Sequence, residues 1–373
     1  MKAPHQHLAS LDAFRGMTIA AMIVVNNPGN WNAVFAPLTH ADWHGCTLAD
    51  VVFPFFIFIL GAAMAFALGQ RLDRGQDVRN VLARIGWRAA ALVVLGLVLN
   101  AAAAYPAFSS MRIPGVLQRI GLVYLLAAVI AIYAKPWQRA IVVVALLLGH
   151  WAMLALVPLP GVLGAYGQQH NVAGVIDQAV FGRHILTRTG DPEGILGTLP
   201  AVGTALLGLF AGARLRRPAS PGSSDRSLVA AGLALLAVGL VWGRILPVNK
   251  SLWTGSFVAV TSGLAALLLA VFHQLIDAGG HRRWARPFLW LGFNPLAVYF
   301  LSELVGHVLD LPWLRIDGRA TSPRTWIYWD AMRPLLSTRL SEEAMSLTYA
   351  VLVTVFWTGV AGFLYHRRWR FQV

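Results

Sequence analysis

Apolar residues fall in runs of about twenty along most of the chain, separated by short polar breaks. A helix rises about 1.5 Å per residue, so runs of this length match the roughly 30 Å hydrocarbon core of a bilayer. Ten spans are predicted: Leu11–Trp31, Thr47–Gly69, Val81–Ala104, Pro114–Ala134, Trp137–Val157, Ile195–Leu215, Ser227–Leu246, Trp253–Leu275, Pro287–Val305 and Ser346–Tyr365. The first holds Asp12, Arg15, Asn26 and Asn27, and Pro28 with Gly29 breaks its helix. The fold class that follows is an all-α, polytopic membrane protein, one domain over residues 1–373, without an internal repeat. Three long segments, 27–46, 158–194 and 306–345, join spans on one side. The last, rich in Trp and Pro, suits the membrane interface. The stretch RRPASPGSSDR reads as a flexible linker.

Composition agrees with this pattern. Hydrophobic residues make up 57% and charged residues 12% of the chain, and the mean hydropathy is +0.61. That is too little charge to cover a water-soluble surface and too much apolar residue for a disordered chain. The net charge of +14 would suggest nucleic acid in a soluble protein. With ten spans it has a simpler use. Both termini share one side, and with the N-terminus cytoplasmic, 19 of the 30 basic residues fall inside and 11 outside. The expected partner is the bilayer, not nucleic acid. The start, MKAPHQHLASLDAFRG, shows no signal-peptide pattern, so the first run is expected to stay in the protein. Cys46 is the single cysteine, which excludes an intrachain disulfide and a cysteine metal cluster.

Few polar residues lie near the spans, so each can be weighed. His40, Asp42, His44 and Asp50 crowd the outer mouth of the second span. His40 and His44 are four apart, the spacing of two ligands on one helix face, and with Asp42 they suggest a metal site. The plainer readings are a capping histidine or an imidazole that exchanges protons near neutral pH. Asn26 and Asn27 either satisfy the carbonyls of an ending helix or present an amide to a polar cavity. Arg112 reads as a snorkelling anchor. Arg119, deeper in the span beside Gln118, needs a polar cavity or an acidic partner such as Asp50 or Glu303. Asn249, Lys250 and Trp253 mark another outer helix mouth, where Lys250 fits an interfacial anchor. Asp191–Gly194 (DPEG) suits a helix cap, and Glu303 with His307, one turn apart, a self-satisfied pair. No Walker A loop, Rossmann fingerprint or haem-type histidine pair is present.

Five motifs in order then point to a family: LDAFRGMTIAAMIVVNNPGNW, HADWHGCTLADVVFPFFIFILG, RIPGVLQRIGLVYLLAA, DPEGILGTLPAVGTALLG and PVNKSLWTGSFV. Together they resemble the heparan-alpha-glucosaminide N-acetyltransferase family and its bacterial relatives, from about residue 8 to the C-terminus. The resemblance implies the ten-span core, without the N-terminal luminal region and extra leading helix of eukaryotic members. It implies a multi-pass enzyme of the bacterial inner membrane that uses acetyl-CoA and no metal, and acetylates an amino sugar on the periplasmic side. His40, before the Ala-x-Trp element, takes the place of the family's catalytic histidine, and Asn26 that of its asparagine. His44 stands where the eukaryotic enzyme has asparagine and receives no catalytic role. Asp50, Arg112, Gln118, Arg119, Asn249, Lys250, Trp253 and Glu303 become candidates for the acceptor. Arg15, Arg84, Arg88, Arg367 and Arg368, the last two within the cluster HRRWR, become candidates for the CoA phosphates. A homodimer is an assembly that the resemblance allows. The non-enzyme alternative is an amino-sugar permease, and a third is a glycan O-acetyltransferase of another membrane family, which lacks these motifs.

Overall fold

The structure, a computed structural model, describes residues 8–73, 75–157, 166–217 and 222–371. Lys2, Arg74, part of the second long segment and part of the linker lie outside the described residues. Helix dominates: α1 (Ala9–Asn26), α2 (Leu48–Asp73), α3 (Val78–Ala104), α4 (Val116–Tyr133), α5 (Pro136–Leu156), the short α6 (Val172–Phe181), α7 (Ile195–Arg216), α8 (Ser223–Trp242) and α9 (Gly255–Phe272). A π-helical turn, His273–Ala278, extends α9. Then come α10 (Arg286–Phe293), α11 (Pro295–Asp310), a hairpin of β1 (Leu314–Ile316) and β2 (Arg319–Thr321), α12 (Pro323–Thr325), a π-helical turn, α13 (Arg333–Leu336) and α14 (Glu342–His366).

Among the described residues, nine helices are long and apolar enough to cross a membrane. The ninth predicted span, Pro287–Val305, is not one helix. It breaks into α10 and α11, which meet at 84°. Pro295 explains the break: it lacks an N–H and disfavours helical backbone at the residue before it. Asn294 adopts φ −130°, ψ 54° there. Its side chain fills the gap, donating to Trp369 O (2.7 Å) and accepting from Phe371 N (2.9 Å).

The helices α7 and α9 bury 78% of their apolar windows, whereas α8 buries 17%. The first two therefore form the centre, and α8 presents its apolar face outward. The α2–α7 contact is close because Gly61 and Gly208 lack side chains. A Cβ on Gly61 would stand 1.8 Å from Ala205 O, and one on Gly208 1.9 Å from Phe58 O. Around this pair, Ile19, Ile57, Val123, Ala205, Trp253 and Val298 join one continuous core. The start of α1 has no capping side chain of its own, and Asp277 replaces it by accepting from Ala9 N and Ser10 N, both at 3.1 Å. The helices leave the molecule with a proximal end, where α1 begins and α2 and α14 finish, and an opposite distal end. The segment before α14 exposes Trp313, Trp326 and Trp329 at the distal end.

Candidate functional site

Two cavities open at the two ends of the same helices, α1, α3 and α11. The proximal one measures about 580 Å³ and carries Arg15, Arg71, Arg88 and Arg370 on an otherwise largely apolar wall, with Asp12 beside Arg15. Phe293, Pro295 and Leu296 line it from the broken span. The distal one measures about 450 Å³ and presents Asn26, Asn100, Arg112, Gln118, Glu303 and His307, with Tyr299 at its side. Arg15 and Asn26 are eleven residues apart on α1, which is about 16 Å along a helix axis. On α11, Leu296 lines one cavity and Tyr299, one turn on, the other.

The proximal wall can hold anions: guanidinium groups pair with phosphates by charge-assisted, bidentate bonds. Of the arginines expected to do so, Arg15 and Arg88 line it. Arg84, Arg367 and Arg368 do not; Arg84 sits exposed on α3, and Arg367 and Arg368 just past the end of α14. Arg370 of the same C-terminal cluster lines it instead, its guanidinium 4.7 Å above the Phe293 ring. Arg71 was not singled out from the sequence. Its signal was Gln70–Arg71 interrupting the end of an apolar run.

In the distal cavity the Asn26 side-chain amide donates to Glu303 Oε1 at 2.9 Å. Glu303 is therefore paired with Asn26, not with His307. Asn27 performs the helix-ending role, bonding back to Ile23 O (2.9 Å). Gln118 donates to Ile113 O, in space that exists because Gly96 and Gly115 have no Cβ. Arg112 is no surface anchor. It is clamped by Asp191, with its Nε 2.7 Å from Asp191 Oδ2, and by Glu193. Burial opposes its charge, but the two carboxylates outweigh that and hold its pKa above the ordinary value. The DPEG turn thus binds Arg112 rather than capping α7. The cap comes from Asp177, whose carboxylate accepts from Ile195 N (2.9 Å) and Asp191 N (3.2 Å). Burial raises the Asp177 pKa.

His40 lies on a non-helical loop before α2, at the distal end where that helix begins, and does not line this cavity. Its Nδ1 is 2.8 Å from Asp50 Oδ1. Asp50 is buried, and its Oδ2 accepts from Ala41 N (3.1 Å), Thr47 N (3.0 Å) and the Thr47 hydroxyl (3.1 Å), which fixes the loop. This arrangement puts the proton on Nδ1 and leaves Nε2 as an acceptor. Lys250 completes the cluster: its Nζ is 3.2 Å and 3.3 Å from the two ring nitrogens and 3.6 Å from Asp50 Oδ1. Burial lowers the Lys250 pKa, against the pull of Glu193 and Asp50.

Three further expectations change. His40 and His44 do not share a helix face; His44 turns to Asn249, 3.3 Å away. Among the described residues, no three His, Cys, Asp or Glu side chains are grouped to hold a metal. Asn249 and Trp253 are wholly buried and serve as scaffold. Asn249 donates to Trp43 O (2.7 Å) and accepts from Leu252 N (2.8 Å). Trp253 holds φ +53°, a strained value for a bulky residue, and packs on Phe53 and Phe257. Arg119 meets neither Asp50 nor Glu303. Its guanidinium stacks 5.0 Å over Trp253 and donates to Gly194 O (2.9 Å), joining the DPEG turn to the Lys250 loop.

The family model described as heparan-alpha-glucosaminide N-acetyltransferase, catalytic, matches residues 8–239. That interval contains Asn26, His40, Asp50, Arg112 and three of the four proximal arginines. Two relatives bear the name heparan-alpha-glucosaminide N-acetyltransferase. The one from Homo sapiens is 29% identical over 419 residues, covering 97% of this chain and 59% of its own length. The one from Mus musculus is 28% identical over 370 residues, covering 84% and 56%. The chain thus spans a little over half the length of these relatives. With the family model matching more than half of its residues and the motif positions gathered at the ends of one helix group, the chain belongs to the heparan-alpha-glucosaminide N-acetyltransferase catalytic family.

Proposed function

We propose that the protein is a membrane N-acetyltransferase that moves acetyl from acetyl-CoA to the amine of an amino sugar, glucosamine or a glucosamine-ended glycan. In this reading the proximal end faces the cytoplasm of a bacterium and the distal end its periplasm. The observation that carries it is the pairing of an arginine-lined cavity with a polar cavity and a His–Asp pair at opposite ends of α1, α3 and α11. CoA is anionic and does not cross a bilayer, so a donor site on one side and an acceptor site on the other let the thioester meet the amine without releasing the cofactor.

Transfer is direct. His40 Nε2 takes a proton from the acceptor amine while Asp50 holds Nδ1–H and stabilises the imidazolium. The amine nitrogen bonds to the thioester carbon, the C–S bond breaks, and the thiolate leaves with a proton from His40. Asn26, one N–H spent on Glu303, has its second N–H and its carbonyl for the donor carbonyl or the amine. A permease reading draws on the broken α10–α11 span, since transporters place substrates at such breaks. Here the polar groups of Asn294 are already engaged by the C-terminal tail.

Radiolabelled acetyl-CoA and glucosamine, given to proteoliposomes, test the reading. N-acetylglucosamine is the expected product, and His40→Ala abolishes it while acetyl-CoA binding persists. Sugar uptake without acetylation would overturn the proposal. A labelled acetyl trapped on His40 without acceptor would replace direct transfer by a two-step route.

A further inference from the structure

The chain contains three lysines, Lys2, Lys135 and Lys250. Lys250 stands where an acceptor amine has to stand, with its Nζ within hydrogen-bond distance of both His40 ring nitrogens and 3.6 Å from Asp50. It is held there. Asn249, the preceding residue, spends its amide on Trp43 O and Leu252 N. Trp253 fixes the turn from the other side by donating its backbone N–H to Lys250 O at 3.0 Å. The Lys250 side chain is 18% exposed, while that of His40 is 51% exposed, so the base stays reachable with the lysine in place. Burial disfavours the ammonium form and makes the free amine more available than on a solvated lysine.

We propose that Lys250 is a self-acetylation site: without an amino sugar, the protein transfers acetyl from acetyl-CoA to its own Lys250 Nζ. This rests on the acetyl-CoA-dependent reading given above. The balance is that of the sugar reaction. Nζ gives a proton to His40 Nε2 and bonds to the thioester carbon, and the C–S bond breaks. CoA leaves as the thiol, and one further proton is released as ammonium becomes amide. The product carries no charge beside Asp50, so the ammonium that stood against His40 is removed. An incoming sugar amine and Lys250 compete for the same base, so the acceptor protects the lysine. The modification records turnover in the absence of substrate.

Intact-mass and peptide mass spectrometry of purified, full-length protein tests this, after incubation with labelled acetyl-CoA with and without glucosamine. Without acceptor, Lys250 approaches about one acetyl per chain, and exposed Lys135 gains at least about tenfold less because nothing orients it to a base. Saturating glucosamine suppresses the Lys250 label, and His40→Ala and His40→Asn both remove it. Acetylated glucosamine with unmodified Lys250 would overturn self-acetylation and leave the transferase reading standing. Equal labelling of Lys135 and Lys250 would overturn it as adventitious chemistry. Label on neither sugar nor lysine would overturn both.

Discussion

Asp50→Asn removes one charge at the centre of the distal cluster and almost nothing else. The amide keeps the carboxylate's shape, and its oxygen can still accept from Thr47 and Ala41, the bonds that fix the loop. What disappears is the negative field on His40 at 2.8 Å and on Lys250 at 3.6 Å. Two unit charges 3.6 Å apart attract by about 5 kcal/mol at an effective dielectric constant of about 20. That overstates the loss, because the His40 side chain is 51% exposed and water screens it. A charge-assisted hydrogen bond, about 1.5–3 kcal/mol, is the better measure. As transition-state stabilisation this is about 10- to 150-fold in rate. Asp50→Asn is therefore expected to lower kcat/KM for the amino sugar by that factor. The KM for acetyl-CoA stays unchanged, since Asp50 does not line the proximal cavity. Steady-state acetylation of glucosamine in detergent, with thermal unfolding as the folding control, reads both. A folded variant within about threefold of wild type would refute the role given to the His40–Asp50 pair.

Other outcomes follow from the remaining contacts. Arg112→Met leaves Asp191 and Glu193 buried without their cation and is expected to destabilise the protein by about 3–5 kcal/mol. Adding Asp191→Asn and Glu193→Gln recovers part of this, and thermal unfolding in detergent measures it. Arg71→Ala and Arg370→Ala, each removing one cation from the proximal wall, are expected to raise the KM for acetyl-CoA about tenfold. The KM for glucosamine is unmoved, and kinetics with each substrate varied in turn shows the split. The Cys46 thiol is pushed up to about 12 by burial and by Asp50. A raised thiol pKa means less thiolate at a given pH, so at pH 8 iodoacetamide is expected to react with Cys46 about a thousandfold more slowly than with an ordinary thiol. Alkylation followed by mass spectrometry gives that rate.

The spans were legible because an apolar run of about twenty residues has essentially one solution in a bilayer. The break was not, since residues 287–305 are mostly apolar and only the Asn294–Pro295 pair marks it. The long-range pairs stayed hidden for a different reason. Arg112 meets Asp191 and Glu193 about eighty positions away, and local spacing offered only the reading of DPEG as a cap. His40 and Asp50 could be placed at one helix mouth because they are ten residues apart, but the contact itself depends on the loop between them. Asn249 and Trp253, expected at an open helix mouth, are buried. Polar and aromatic residues beside a helix mouth look alike in sequence whether they face a cavity or the core, and only burial separates them.

The broken span explains how one group of helices carries two cavities. A break in lipid frees backbone groups that hydrocarbon cannot satisfy, so it survives only where protein supplies partners. At this break the Asn294 side chain bonds to the backbone of the C-terminal tail, and the same tail brings Arg370 and Phe371 to the proximal wall. Phe293, Pro295 and Leu296, the residues around the break, form another part of that wall. One turn beyond, Tyr299 and then Glu303 reach the distal cavity, where Glu303 holds Asn26. The 84° bend therefore does two things at once: it lines the arginine-rich cavity with the break and directs α11 toward the polar one. Of the residues that bind the tail to Asn294, Phe371 lines the proximal cavity, so the tail and the break shape the same wall.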